Sequence, residues 1–536
     1  MNKQAAHQGT KSQFYILIIV FFFWGFVAAS NGIFIPFCKT HFSLNQLESQ
    51  FVDSAFYGAY FLGSLLLYTI SQFIGVDIMN KWGYRKGIIY GLLVSIIGSI
   101  ALAVVAALNT HSFFLVLVCF FVIALGFSLQ QTAANPFAIA LGNPETGSHR
   151  LNMAGGINSF GTLIGPLVVS FVLFGSLAEG AAGTATIGSI KTLYIILTIA
   201  FAVAAIIFGV SKMTKITSDE TIENSKKALG SLWLMFGIII IFVLLGIYTP
   251  LQRVYITIGV LIAVLAILFY GLSASKKQKE GWGAMQYPQL TLGMLAIFVY
   301  VGTEVTIQSN MGALLKKPEF GGFDEAHISE FISLYWGGLM IGRWTGAITV
   351  FNTSRMMKNL LFIVVPFIAF AVILAVNALN GNDIHEMYVY AICIAVQIIV
   401  FFIGQEKPVK TLMLFALLGA IAMLVGLSTH GKIATYSFIS GGLFCSVMWP
   451  CIFALAVAGL GKHTGEGAAF LIMMILGGAI IPPLQGALAD VPSIGIHMSY
   501  IVPVITFLFL AVHAITTKKV LQKQGIDFDA SFTGGH

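Results

Sequence analysis

The chain has 536 residues, 58% of them hydrophobic and only 9% charged, with a mean hydropathy of +0.91 and a formal net charge of +7. Soluble domains carry about a quarter charged residues, so this composition excludes a soluble globular protein and predicts an all-α polytopic membrane protein. The basic excess forms no aromatic-interleaved patch, which argues against nucleic acid as a partner.

In chain order, residues 1–13 read as a short polar tail. Apolar runs of about twenty residues follow, the length that a bilayer core of about 30 Å requires. They lie at 14–37, 51–75, 87–108, 112–141, 152–175 and 192–211. The first run continues as Asn31-Gly32-Ile33-Phe34-Ile35-Pro36 rather than into a small-residue cleavage site, so no cleavable signal peptide is expected. A charged linker at 212–229 leads to an apolar hairpin that turns at Thr249-Pro250, with arms near 230–248 and 254–273. Further runs lie at 288–315, 328–351, 359–378, 387–404, 411–428, 433–459, 466–488 and 497–516, which makes sixteen.

Charge placement tests that layout. With the N-terminus in the cytoplasm and the runs alternating, 22 of the 28 Lys and Arg residues, Arg343 among them, fall on the cytoplasmic side. This is the positive-inside asymmetry, and an odd number of spans would scramble it. The basic balance is therefore topological. Trp82 and Trp282 read as interfacial anchors, and Gly83-Tyr84-Arg85-Lys86-Gly87 as a basic cluster suited to latching two helices. Fifty-six glycines suit close helix packing, and the five cysteines read as reduced packing residues.

The halves echo one another. Pro136, the corner 142–148 and Gly165-Pro166 have counterparts in Trp449-Pro450, the corner 461–466 and Ile481-Pro482-Pro483. Pro136 to Pro166 spans 30 residues, and Pro450 to Pro482 spans 32. Duplicated halves with a site between them are the plan of secondary transporters.

Four amides, Gln130, Gln131, Asn135 and Asn158, sit within apolar runs. An unsatisfied amide in hydrocarbon costs several kcal/mol, so these groups face one another or a wet cavity. Glu304 is the sharpest single signal, a carboxylate in the middle of an apolar run, where a charge costs roughly 3 kcal/mol or more. On a helix it shares a face with Gln308. It lines a cavity, or else makes a structural helix–helix hydrogen bond. Asp53 near the start of the second run serves equally well as a helix cap. Trp24, Trp336 and Trp449 lie inside or near mid-span, where a ring either stacks on a sugar or packs against its neighbours. His385-Glu386 lacks the second His of a zinc-protease helix, no Gly-x-Ser-x-Gly occurs, and Gly461-Lys462 lacks the rest of a phosphate loop. Neither an enzyme nor an ATP-driven pump is indicated, and no cofactor or metal is expected.

The chain resembles sugar transporters of the major facilitator superfamily, in the fucose/galactose/glucose permease family. The resemblance rests on Phe22-Phe23-Trp24-Gly25-Phe26 with Asn31 and Pro36, on Gly83-Tyr84-Arg85-Lys86-Gly87-Ile88, and on Gln131-Thr132-Ala133-Ala134-Asn135-Pro136. Arg150-Leu151-Asn152, Asn158-Ser159-Phe160-Gly161 and Gly342-Arg343 extend it, and the form around Asn158 and Glu304 is similar to versions from Bacteroidota inner membranes.

This resemblance implies two pseudo-symmetric six-helix bundles, at 14–211 and 288–516. Two extra hairpins would lie outside that plan, one in the linker 212–287 and one inserted at about 354–404, giving 14–16 spans. It also implies alternating access and a hexose site at the midplane, in a bacterial inner (plasma) membrane with both termini cytoplasmic. Sugar contact is expected from Trp24, Asn31, Gln131, Asn135, Asn158, Gln308 and Trp449, since amides pair with vicinal hydroxyls and rings cover C–H faces. The family commonly has Asp where Gly32 stands; some members carry Glu at Gln131, and others Gln at the positions of Gly155 and Asp53. Loss of the first-span carboxylate leaves Glu304 or Asp53 to couple a cation, proton before sodium. The expected activity is cation-coupled hexose uptake. The rivals are a facilitative uniporter, an apolar-drug exporter and a non-transporting sugar sensor.

Overall fold

The computed structural model describes residues 3–43, 51–108, 112–142, 147–174, 187–211, 213, 225–248, 253–323, 325–351, 353–379, 381, 383–404 and 407–526. Their long elements are all helices. The first six are α1 (Lys3–His41), α2 (Phe51–Ile74), α3 (Tyr84–Ala107), α4 (Phe113–Ala140), α5 (Gly147–Phe174) and α6 (Ile187–Val210). A hairpin follows, α7 (Lys226–Tyr248) and α8 (Arg253–Lys277). Then come α9 (Pro288–Ser309), α10 (Glu325–Ala347), a second hairpin of α11 (Arg355–Leu379) and α12 (Ala391–Gly404), and α13 (Pro408–Ser428). The next two spans are broken. α14 runs through Gly431–Ile439, Gly441–Cys445 and Met448–Val457, and α15 through Thr464–Met473, Met474–Leu476 and Gly477–Ala489. α16 (Ile501–Lys523) closes the order.

Local chemistry sets several of these ends. Ser112 caps α4 by accepting from the Leu115 amide at 3.4 Å. Pro288 and Pro408 open α9 and α13, where a missing N–H costs nothing. α6 shows how the outside is made: Ile196, Ile199, Val203, Ile206 and Val210 are exposed at helical spacing, an apolar stripe for lipid rather than water. Among the described residues, twelve helices are long and apolar enough to cross a membrane. α5 and α10 carry polar and charged residues that they turn toward each other.

Two bundles result. In the first, α1 packs on α5 and α3 on α6; the second repeats these pairs as α9 on α15 and α13 on α16. Pro136 and Pro450 thus lie on equivalent helices, α4 and α14, as do Pro166 and Pro482 on α5 and α15, so the internal echo is a structural one. Backbones come close where α1 meets α5. A side chain at Gly161 would collide with the Phe22 carbonyl, and one at Gly25 with the Asn158 carbonyl. Helix spacing this tight is available only to glycine.

The bundles meet along two symmetric seams, α5 against α10 and α2 against α15. Both are closed near the same ends of the helices. Tyr68 stacks edge-on against Phe470 with ring centroids 4.7 Å apart, and Gly465 lies directly against the Asp77 carboxylate. On the other seam His149 Nδ1 lies 3.2 Å from the Gly346 carbonyl oxygen. The first hairpin straddles the α2/α15 seam. Its α7 is fixed to α2 by Trp233 Nε1 donating to Thr69 Oγ1 at 3.1 Å and by stacked Phe61 and Phe236, while α8 packs on α15 and α9. The second hairpin lies mainly on the second bundle, against α10 and α13.

Several expectations need correction. α1 is helical from Lys3, so residues 3–13 are not a separate tail. Trp282 is no interfacial anchor: it is fully buried against Tyr270, with Gly271 beside its ring. Arg343, counted with the loop charges, is a buried side chain at the bundle interface, because its partners lie inside the protein. Arg85 does latch two helices, since its guanidinium Nε donates to the Phe208 carbonyl at the end of α6 at 2.8 Å.

Candidate functional site

The site grows from one ion pair. Glu304 on α9 and Arg343 on α10 are only 15% and 11% exposed, with oxygen and nitrogen 3.8 Å apart. A lone carboxylate at this depth needs a counter-charge, and Arg343 supplies it. Tyr300, one turn back on α9, donates its hydroxyl to the same carboxylate oxygen of Glu304, and Tyr335 on α10 donates to the Glu304 main-chain carbonyl at 2.7 Å. The acid is therefore oriented from two helices.

Arg343 also reaches across to the first bundle. Its NH1 donates to Ser159 Oγ at 2.9 Å, to Asn158 Oδ1 at 3.3 Å and to the Gly155 carbonyl at 3.4 Å. The neighbouring Trp344 donates to the Gly156 carbonyl at 3.2 Å. Gly155 explains why the guanidinium fits, since a Cβ there would lie 3.2 Å from Arg343 Cδ. A larger side chain at this position would fill the same space. Behind Arg343, its Nε donates to the Ser446 carbonyl at 3.2 Å. That carbonyl is free because Pro450, four residues on in α14, has no N–H to give it. The proline of the internal echo thus creates an acceptor for the buried cation.

The sequence-predicted residues divide. Asn158 belongs to this centre, with its amide nitrogen held by the Phe21 carbonyl at 2.9 Å and its oxygen accepting from Arg343. Trp449 is half-buried beside Tyr300, ring centroids 6.3 Å apart. Gln308 is half-buried one turn beyond Glu304. Gln131, half-buried on α4, donates to the Tyr60 hydroxyl at 3.1 Å, and Asn135 turns its amide back to the Gln131 carbonyl at 3.1 Å. Trp24 is buried and donates to Gln130 at 3.0 Å, and Gln130 in turn donates to Ser95 at 3.2 Å. This relay stitches three helices of the first bundle together. The side chains of Asn31 and Asp53 lie outside the described residues. Arg343, Tyr300, Tyr335 and Ser159 were missed; Arg343 had the visible signal of a charge eight residues before the end of the apolar run 328–351, in Gly342-Arg343-Trp344.

An acid that is either charged and paired or neutral, an amide tied to the same guanidinium, and aromatic faces alongside make an arrangement able to exchange a proton and hold hydroxyls.

No protein-family model matches the chain. The glucose/galactose transporter of Brucella abortus is 31% identical over 503 residues, covering 94% of this chain and 93% of the relative. The L-fucose-proton symporter of Haemophilus influenzae is 24% identical over 545 residues, covering 97% of this chain and all of the relative. A crystal structure of the Escherichia coli fucose:proton symporter superposes with a TM-score of 0.63 at 20% identity, covering 95% of this chain and 99% of that one.

Proposed function

We propose that this chain, which belongs to the glucose/galactose transporter family of the major facilitator superfamily, takes up a hexose by alternating access coupled to protons. Glu304 accepts the proton from the open side as the sugar binds, and releases it on the far side. A proton suits the centre better than sodium. A carboxyl neutralised by H⁺ needs no further ligands, whereas Na⁺ beside a guanidinium would meet like charge and few oxygens.

In this reading Asn158, Gln131, Asn135 and Gln308 contact sugar hydroxyls and Trp449 covers a C–H face. Trp24 and Asn31 shape the first-bundle side, and Asp53 is a second coupling candidate. The linker and hairpin at 212–287 separate the bundles at 14–211 and 288–516. The protein sits in a bacterial inner membrane with both termini cytoplasmic, the side favoured by its Lys and Arg.

The observation that carries the reading is the buried Glu304–Arg343 pair, joined through Arg343 to Asn158 on the opposite bundle. Opening the closed end must part Arg343 from α5. A sugar hydroxyl competing for Asn158 Oδ1 and a proton neutralising Glu304 both loosen that grip. In proteoliposomes, Glu304→Gln is expected to abolish uphill hexose accumulation while counterflow of labelled hexose persists. Equal loss of both would make Glu304 structural. Binding without counterflow in the unaltered protein would favour a sensor.

A further inference from the structure

We propose that Gln397, on the inserted hairpin, is a positioning residue for the Glu304–Arg343 pair, which makes that hairpin part of the coupling apparatus. The proposal deepens the reading of Glu304 as the proton carrier and rests on it. α12 has the sequence AICIAVQIIVFFIG, in which Gln397 is the one amide. Its neighbours Ile392, Val396, Ile399, Phe402 and Ile403 are exposed on the apolar side, whereas Gln397 is fully buried. An amide on so apolar a helix is costly unless its partners are fixed.

Those partners lie at the break in α14. Gln397 Nε2 donates to the Leu443 carbonyl at 3.1 Å and to Ser446 Oγ at 3.4 Å. Ser446 is the residue whose carbonyl, freed by Pro450, accepts from Arg343 Nε at 3.2 Å. One continuous path therefore runs from the hairpin through Ser446 to Arg343, and from Arg343 to Glu304 and Asn158. Gly342 keeps the path short, because a Cβ there would lie 2.6 Å from Gln397 Nε2 and 2.5 Å from Ser446 Cβ. The charged and titratable groups facing Glu304 are Arg343 and Tyr335 on α10, Tyr300 on α9 and Cys445 on α14, with Tyr500, just before α16, beside Tyr335. Gln397 is uncharged and does not touch Glu304. Its effect is to hold Ser446, and hence the guanidinium, at a fixed distance from the acid.

The test compares the unaltered protein with Gln397→Met, which keeps the length of the side chain and removes the amide, in proteoliposomes of the full chain. Uphill hexose accumulation is measured across a series of external pH values, beside labelled-hexose counterflow. Gln397→Met is expected to lower accumulation by about tenfold, the worth of roughly one buried hydrogen bond, and to displace its pH profile. Counterflow should stay within about twofold, on the scale of a few tenths of a kcal/mol. Pro450→Ala, which returns an N–H to compete for the Ser446 carbonyl, should displace the profile without touching the hairpin. A Gln397→Met profile that superposes on the parent's overturns the proposal, as does an equal loss of counterflow and accumulation. Uphill accumulation that survives Glu304→Gln instead overturns the underlying reading, whatever Gln397→Met does.

Discussion

Removing the cation while leaving the acid is the sharpest perturbation the centre offers. Arg343→Met keeps an unbranched chain in place of the guanidinium but strands Glu304, 15% exposed, without its counter-charge. At 3.8 Å the pair attracts by about 4 kcal/mol at an effective dielectric of roughly 20. Desolvation offsets part of that gain, and breaking such a pair from one side costs roughly 3–5 kcal/mol. Arg343→Met should therefore be strongly destabilised. Glu304→Gln/Arg343→Met, which buries no stranded charge, should be more stable than Arg343→Met alone. The double-mutant cycle, read by thermal unfolding in detergent, is expected to give a coupling of about 2–4 kcal/mol. Acidification should shrink the Arg343→Met deficit, because the neutral acid needs no partner, and should leave the double variant unmoved. Additivity within about 0.5 kcal/mol would mean that the two side chains do not sense each other, and the account of the centre would fail.

Other outcomes follow from particular contacts. Gly155→Gln drives a side chain into the Arg343 stem, where a Cβ already comes within 3.2 Å of Cδ. Hexose uptake should fall by about tenfold or more, equivalent to the 1–3 kcal/mol of an overpacked site, and unchanged uptake would show that the guanidinium has room elsewhere. Trp24→Phe removes the indole donor to Gln130, which should cost about 1–2 kcal/mol in thermal unfolding while leaving the order of preference among hexoses intact. A changed preference in competition uptake would instead place Trp24 against the substrate. Arg85→Met frees the carbonyl ends of α6 and should lower the unfolding midpoint by an amount equivalent to about 1–3 kcal/mol.

Apolar runs revealed most of the helices because lipid imposes a length and forbids unpaired backbone, a constraint read one residue at a time. Glu304 stood out for the same reason, as a lone acid where none is affordable. Asn158 was legible as an amide in a lipid-length run. Arg343 was not, because a cation near the end of an apolar run reads as topology. Only the fold shows that α5 presents three acceptors to it. Trp24 shows the same limit from the other side: an aromatic in mid-span reads equally as cavity wall or as packing, and only the fold shows Gln130 and Phe21 around it. Pro450 was visible as part of the internal echo, yet which acceptor the proline frees, and for whom, depends on a helix a hundred residues away.

The hairpin α7–α8 ties the two halves together along one seam. One margin carries a brace fastened to both halves, by Trp233 to Thr69 on one side and by the packing of α8 on the other. Halves joined in this way along α2/α15 are expected to part less there than at α5/α10. Arg343 and Asn158 face each other across the opposite margin, α5/α10, where loss of one charge would remove a direct tie between the halves.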